Sequence, residues 1–360
     1  MKRILIITQT TNTNSGWGRY SSEIIGRLRK VMLVSSLEEG DNSSSLKRKD
    51  SLGSFLRNIS LARKMAQNID IVHVLDGWPY AIYGYFAVMG TNKKLFINAV
   101  GTYSIVSRNI ISPKSILMKL AYARASKVFA ISHYTENRLK KNIPWVDSTI
   151  VYLGVNLLPR LTSRDGKSVE DKIGGRSPVI LTVGALKKRK GQIHTLQAIF
   201  ELKKDYPNIL YAMVGDGGDE YYRKGITSFA EENGLIKNVL MAGLVTDEEL
   251  SAWYEKSDVF ALNSINHGGH FEGWGMVLLE AASFGKPVVG SRDCGIEDAL
   301  RDGFNGFLTN QSNHKDIALK IKKSLNNKRK LGSNSIEFVR SFSWDKTIGT
   351  YLAFYKSGER

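Results

Sequence analysis

Two carboxylates stand in a glycine-punctuated and otherwise apolar stretch, HFEGWGMVLLEAASFGKPVVG, from His270 to Gly290. Glu272 lies beside Gly273 and Gly275, and Glu280 sits among Val277, Leu278, Leu279, Ala281 and Ala282. The spacing predicts a helix that begins near Gly275 or Met276 and ends at Gly285, a residue suited to the position just past a helix. An acid inside such a helix is costly to bury unless something pairs with it, and a carboxylate accepts two hydrogen bonds in a fixed geometry. The vicinal hydroxyls of a ribose would satisfy Glu280, and so would an arginine. Glu272 is either a surface acid or the contact of a sugar whose phosphate rests on the exposed N–H groups at the helix start.

A second cluster follows the apolar run PVILTVG. The basic residues Lys187 to Lys190 end at Gly191, where the spacing of Ile193, Leu196, Ala198 and Ile199 predicts a new helix. Orphan N–H groups at a helix start and fixed cations beside them point at the same oxygens of a pyrophosphate. A solvated basic turn is the plainer alternative. Farther on, Gly243 closes an apolar run, and Thr246 with Glu249 forms the pattern of a capping box. The backbone of Leu244 and Val245 either walls a planar ligand or makes a structural turn. His267 and His270 lack a further ligand at a recognisable spacing, so no metal is expected.

The elements that must carry these residues read as strand then helix, twice over. RILIIT, IVHVL, KLFINA, KVFAIS and STIVYL, then PVILTVG, ILYAMVG, NVLMAG, DVFALNS and KPVVG, are short β-branched runs, each before a polar or glycine-bearing turn. That is the pattern of parallel sheets wrapped by helices, an α/β chain of two doubly wound, Rossmann-like domains. The polar segment from Pro159 to Ser177 reads as an exposed linker between a first domain over 1–158 and a second over 178–342. Ligands bind beyond the carboxyl ends of such strands, so two domains facing each other offer a cleft.

Bulk properties agree. At 360 residues the chain exceeds the roughly 250–300 at which one core usually divides. Its 42% hydrophobic and 24% charged residues are those of an ordinary folded protein. Apolar runs are too short to span a membrane, and the basic start is too short for a signal peptide, so a cytoplasmic protein is expected. The single cysteine, Cys294, excludes an internal disulfide framework. The abnormal number is the net charge of +17, which attracts phosphate-bearing partners.

Taken together, these features resemble the retaining glycosyltransferases of family four, also called group 1, with the two-domain GT-B architecture. The resemblance is carried by Glu272 and Glu280 in FEGWGMVLLEAASFGKPVV, with GFNGFL after it. VGALKKRKG, MVGDGG, GLVTDEELSAWYEKSDVFALNS, ISHYTENRL and VYLGVN stand around it in family order. It implies transfer of a sugar from a nucleotide-diphosphate sugar to a hydroxyl of a glycan or lipid-linked acceptor, in cell-envelope polysaccharide or glycolipid synthesis, with no cofactor and no required metal. Arg189 and Lys190 would neutralise the leaving diphosphate, and Gly184 would border the donor. Glu280 would hold the ribose and Gly243, Leu244 and Val245 the base. Glu272 would contact the donor sugar near its reacting carbon, with Gly275, Met276 and Val277 giving N–H groups to the distal phosphate. The loop TNTNSGWGRY, with Gly16 and Gly18, would close over the phosphates and touch the acceptor. The segment 343–360 would be a helix crossing back to the first domain.

This chain departs from the pattern twice. Ala185 stands where an arginine is frequent, and Val100 in INAVGTYS replaces a histidine that would reach the donor sugar. Tyr103, Ser132 and His133 are the nearby candidates, taken here as acceptor-binding. Part of the charge lies on helix-length segments with an apolar face, Leu52, Phe55, Leu56, Ile59 and Ala62 in the first of them, and PKSILMKLAYARASK is similar. Such a helix is ordinarily core, but it also suits peripheral contact with an anionic membrane on its inner face. A nucleic-acid-binding protein is the rival class; against it, aromatics are not interleaved with the basic runs and no nucleic-acid module is recognised. An epimerase or phosphorylase of the same fold is the other.

Overall fold

The computed structural model describes residues 2–48, 51–106, 112–155, 158 and 163–357, and divides them into two compact units. In the first, β1 (Arg3–Ile7), α1 (Gly16–Leu28), β2 (Leu33–Leu37), α2 (Leu52–Met65), β3 (Ile71–Val74), α3 (Tyr80–Val88), β4 (Lys94–Ala99), α4 (Pro113–Arg124), β5 (Lys127–Ala130), α5 (His133–Asn142) and β6 (Ser148–Ile150) follow in turn. The second runs from Val155 to Phe342. It holds α6 (Ser163–Ile173), β7 (Val179–Val183), α7 (Gln192–Leu202), β8 (Leu210–Val214), α8 (Glu220–Glu232), β9 (Val239–Gly243), α9 (Asp247–Lys256) and β10 (Val259–Leu262). After these come α10 (Met276–Ser283), β11 (Val288–Ser291), α11 (Ile296–Ala299), β12 (Gly306–Thr309), α12 (His314–Asn326) and α13 (Lys328–Val339). The chain then returns to the first unit as α14 (Trp344–Lys356).

Each unit is one six-stranded parallel sheet, ordered β2-β1-β3-β4-β5-β6 in the first and β12-β11-β10-β7-β8-β9 in the second. Central strands are apolar runs buried along their length, as β3, β7, β8 and β10 are, because helices cover both faces. Leu33–Leu37 and Gly306–Thr309 are strands that the apolar runs do not announce. Both lie at sheet edges, where one neighbour suffices, and β2 carries two serines and is only partly covered.

Strand alternation decides what each face of the first sheet meets. Val72 and Val74 of β3 join the apolar layer formed with α2, α3 and α4. His73 points the other way, towards α14. There its Nε2 is 2.8 Å from Asn98 Oδ1, and its Nδ1 is paired with the Tyr355 hydroxyl. Asn98 Nδ2 in turn donates to the Tyr351 hydroxyl at 2.9 Å and to that of Tyr20 on α1. Burial holds the imidazole down at about 4, against a small opposing effect of Asn98, so it is neutral and every polar atom of this sealed network has a use.

Two expectations need correction. The segment 159–177 is not an exposed linker throughout: α6 occupies its middle, because Val169 and Ile173, four residues apart, form one apolar face that is buried in the second core. Pro159 and residues 160–162 lie outside the described residues. The face expected on α2 is also divided. Phe55 and Ala62 enter the core, whereas Leu52 and Leu56 are exposed.

Candidate functional site

In each sheet the strand order reverses once, and the crevice beyond the strand ends at that reversal is where doubly wound folds bind ligands. For the second sheet it lies between β7 and β10, adjacent and parallel. The basic turn follows β7, and the loop bearing Glu272 follows β10. The topology alone therefore brings residues about 80 positions apart in the chain to one edge.

Local geometry fixes the turn. Gly191 has φ +68° between the 3-10 turn Lys188–Lys190 and α7, and a Cβ there would stand 1.8 Å from the Asn263 carbonyl oxygen. Only glycine fits. The Arg189 carbonyl accepts the Ile265 N–H at 2.8 Å, so the turn is bound to the β10 loop through the main chain. Asn263 anchors that loop below, donating to Thr195 Oγ1 of α7 at 2.9 Å and accepting from Thr309 Oγ1 of β12 at 3.0 Å. Of the four basic side chains, Lys187 and Lys188 are exposed, while Arg189 and Lys190 turn inward.

They meet Glu272. Arg189 Nη1 lies 2.6 Å and Lys190 Nζ 2.7 Å from Glu272 Oε2, and Ser264 Oγ donates to the same oxygen at 3.3 Å. The Glu272 main-chain carbonyl accepts the Gly295 N–H at 2.7 Å, which fixes the loop from the other side. Burial would raise the carboxyl, but the two cations more than reverse this and hold it at about 2. The glutamate is thus a permanent anion set against two cations, with one oxygen, Oε1, receiving no hydrogen bond from the described residues.

Helix α10 begins at Met276, behind Gly275, which has φ +86° and no side chain to cap it. Met276 and Val277 are therefore first-turn residues, with N–H groups that a helix interior does not use. Glu280 is buried within α10 and accepts a hydrogen bond on Oε2 from the Tyr254 hydroxyl of α9 at 2.8 Å. A phenol is thus among its protein partners. Gly243 ends β9 in the left-handed region, Leu244 is 76% exposed, and Val245 packs partly into the core. Thr246 caps α9 by accepting from Glu249 N at 3.2 Å, but Glu249 pairs with Lys172 of α6, so its carboxylate is turned to α6. Gly184 follows β7, bonded through its N–H to Val214.

Residues 164–340 match the family model for glycosyl transferases group 1. An uncharacterized glycosyltransferase of Methanocaldococcus jannaschii is 26% identical over 286 residues, 79% of this chain and 74% of its own length. The GDP-mannose-dependent alpha-(1-6)-phosphatidylinositol monomannoside mannosyltransferase of Mycolicibacterium smegmatis is 29% identical over 192 residues, which is 52% of this chain and 49% of that enzyme. The chain therefore spans between about half and three quarters of the length of these curated relatives. Among solved structures, Anabaena HepE in complex with UDP and glucose superposes with a TM-score of 0.79 and 19% identity over 99% of this chain and 100% of that one.

The second unit belongs to the glycosyl transferases group 1. The fold of the chain is the two-domain GT-B architecture of the glycosyltransferases.

The first unit places the remaining candidates. Gly16 and Gly18 open α1, where Ser15 caps the helix by accepting from Gly18 N at 3.0 Å. Tyr103 is exposed on a 3-10 turn, Thr102–Ser104, and lines a cavity of about 250 Å³ with Ile105, Val106, Lys114 and Met118. His133 Nδ1 is 3.0 Å from the Tyr152 hydroxyl. Ser132 does not fit the part expected of it: fully buried, its hydroxyl accepts from Thr135 N at 3.1 Å and donates to Thr135 Oγ1 at 3.0 Å. It is the cap of α5. Val100 is buried, and its N–H donates to Ser104 Oγ at 3.1 Å. The sequence reading missed Tyr254 and Ser264, as well as the buried acid Asp76 just beyond β3. Spacing gives no signal for Tyr254, which lies 26 residues from the acid it serves.

Proposed function

We propose that this glycosyltransferase transfers a hexose, with retention of configuration, from a nucleoside-diphosphate sugar to a hydroxyl of a lipid-linked or glycan acceptor. The observation that carries the reading is the meeting of Arg189, Lys190 and Glu272 at the reversal of the second sheet.

Cleaving a glycosyl–phosphate bond leaves positive charge on the sugar and negative charge on the diphosphate, so fixed cations beside the leaving group lower the barrier most. Arg189 and Lys190 are such cations, preoriented by the main-chain lock and by Glu272. The first-turn N–H groups of Met276 and Val277 add dipoles of the same sign. Glu280, oriented by Tyr254, would present its carboxylate to a ribose, and Leu244 offers an apolar wall to the base. A carboxylate held at about 2 is a weak base and a poor nucleophile, which favours attack of the acceptor from the leaving-group face over a covalent intermediate on Glu272. A diphosphate oxygen then takes the acceptor proton. The reaction as proposed uses no metal.

A lipid-linked acceptor is supported by the first unit. Leu52 and Leu56 on α2 and Ile116 and Leu120 on α4 are exposed, with Arg63, Lys64, Lys114 and Lys119 on the same two helices. Exposed apolar residues with cations on the same helix suit an anionic membrane surface. Among the described residues no helix is long and apolar enough to cross a membrane. The mycobacterial relative bears a name that specifies a phosphatidylinositol mannoside acceptor. We place the enzyme on the cytoplasmic face of the cell membrane, as a peripheral protein.

The test is release of free nucleoside diphosphate from UDP-, GDP- and ADP-sugars, with and without a membrane-lipid extract. Release from one donor, raised by the extract and accompanied by an α-linked product from an α-linked donor, is expected. No release from any donor would overturn the reading.

A further inference from the structure

The first sheet also reverses once, between β1 and β3, and its ligand-binding edge holds a carboxylate for which the mechanism above has no use. Asp76, two residues past β3, is 5% exposed. Its Oδ1 accepts from Gly77 N at 2.6 Å and from Ser104 Oγ at 3.4 Å. Among the described residues its Oδ2 accepts no hydrogen bond, and no cation forms an ion pair with it. The groups that face it, the phenols of Tyr20, Tyr80 and Tyr122, are uncharged.

The setting is built to hold this side chain. A Cβ on Gly77 would stand 2.3 Å from the Tyr103 carbonyl oxygen, so only glycine lets the two loops meet here, and Trp78 N donates to that oxygen at 2.9 Å. Ser104, which donates to Asp76, accepts from Val100 N. The residues on either side of Ser104, Tyr103 and Ile105, line the 250 Å³ cavity. A largely buried acid at a ligand-binding edge, with one oxygen that accepts no hydrogen bond from the described residues, marks a candidate site. Burial pushes its carboxyl up to about 7, with the Gly77 and Ser104 bonds opposing in part.

We propose that Asp76 is a substrate-binding residue whose Oδ2 accepts a hydrogen bond from a sugar or polyol hydroxyl. The assignment rests on the transferase reading. A neutral hydroxyl fits an acid that no cation of the described residues pairs with, and two sources supply one: the acceptor, or the donor sugar.

The test compares wild type with Asp76→Asn, which keeps the shape and the Gly77 contact. Release of nucleoside diphosphate from the three donors is measured with and without the lipid extract, beside melting temperature alone and with free nucleoside diphosphate. A fall in release of roughly ten- to hundredfold is expected, with melting and its nucleotide-induced rise retained. A fall confined to the extract-dependent release assigns the hydroxyl to the acceptor, and a fall in both assigns it to the donor sugar. Release within about twofold of wild type overturns the assignment. So does a variant that melts well below wild type, because the carboxylate then serves the fold. Wild type that releases nothing overturns the transferase reading and removes this role with it.

Discussion

The two sheet reversals each hold a buried carboxylate, and the two are opposite in kind. Glu272 is surrounded by Arg189, Lys190 and Ser264 and held at about 2, whereas Asp76 meets an N–H, a hydroxyl and uncharged phenols and is pushed up to about 7. The same topology has been given a charged edge in one unit and a neutral one in the other. An edge with two cations to one carboxylate suits an anionic ligand, whose arrival exchanges one anion for another. An edge with one bare acceptor suits a neutral, hydroxyl-bearing ligand.

The largest effect should come from breaking the charged edge. Lys190→Ala and Arg189→Ala are each expected to lower nucleoside diphosphate release about 10²- to 10³-fold, the scale seen when one fixed donor to a developing anion is removed. Activity of either variant within threefold of wild type would show that the leaving group is stabilised elsewhere. Next in size is Gly191→Ala, which forces a Cβ into the Asn263 carbonyl at a left-handed position. We expect a loss of roughly 2–4 kcal/mol in urea unfolding, with strain and overpacking both contributing. An unchanged midpoint would mean that the turn is freer than the main-chain lock implies.

Tyr254→Phe leaves Glu280 in place without its orienting hydrogen bond. Nucleotide affinity measured by calorimetry should fall about three- to tenfold, with the melting temperature little changed. The contrast in titration has its own signature. Glu272 has a folded-state carboxyl below its ordinary 4.5, so the stability it adds is complete above about pH 4.5 and is lost as pH falls towards about 2. Asp76 has one above its ordinary 3.8, so its contribution is greatest below about pH 3.8 and is lost as pH rises through about 7. Between pH 5 and 8 wild type should lose stability relative to Asp76→Asn, and parallel curves would contradict the raised carboxyl. The smallest effect on catalysis is expected from Leu56→Glu with Leu120→Glu, which should abolish sedimentation with anionic vesicles at low salt and leave release from a soluble donor unchanged.

The charged edge was legible in the sequence and the neutral one was not. Glu272, Glu280 and the basic turn are announced by glycines, by helix starts and by acids in apolar company, all of which are local signals. Asp76 sits in VLDGWP, an ordinary strand end, and its burial depends on Gly77 meeting a loop 26 residues away. Ser132 misled for the converse reason: a hydroxyl near a strand end reads equally as a site or as a cap. The central strands were plain because both faces are covered, and the edge strands β2 and β12 were not, because half-covered strands need few apolar residues. Helix α6 was hidden by composition, its apolar face reduced to residues such as Val169 and Ile173 in a polar segment.

Helix α14 has a consequence for the order of assembly. Its tyrosines complete the network of His73 and Asn98 in the two central strands β3 and β4, yet it is synthesised after the whole of the second unit. On the ribosome the second unit can close as soon as it emerges, while the first, although made earlier, waits with a polar imidazole and amide uncovered until α14 arrives. The part translated first is therefore finished last, and truncation before Ser343 should expose the first unit, not the second, to chaperones and proteases.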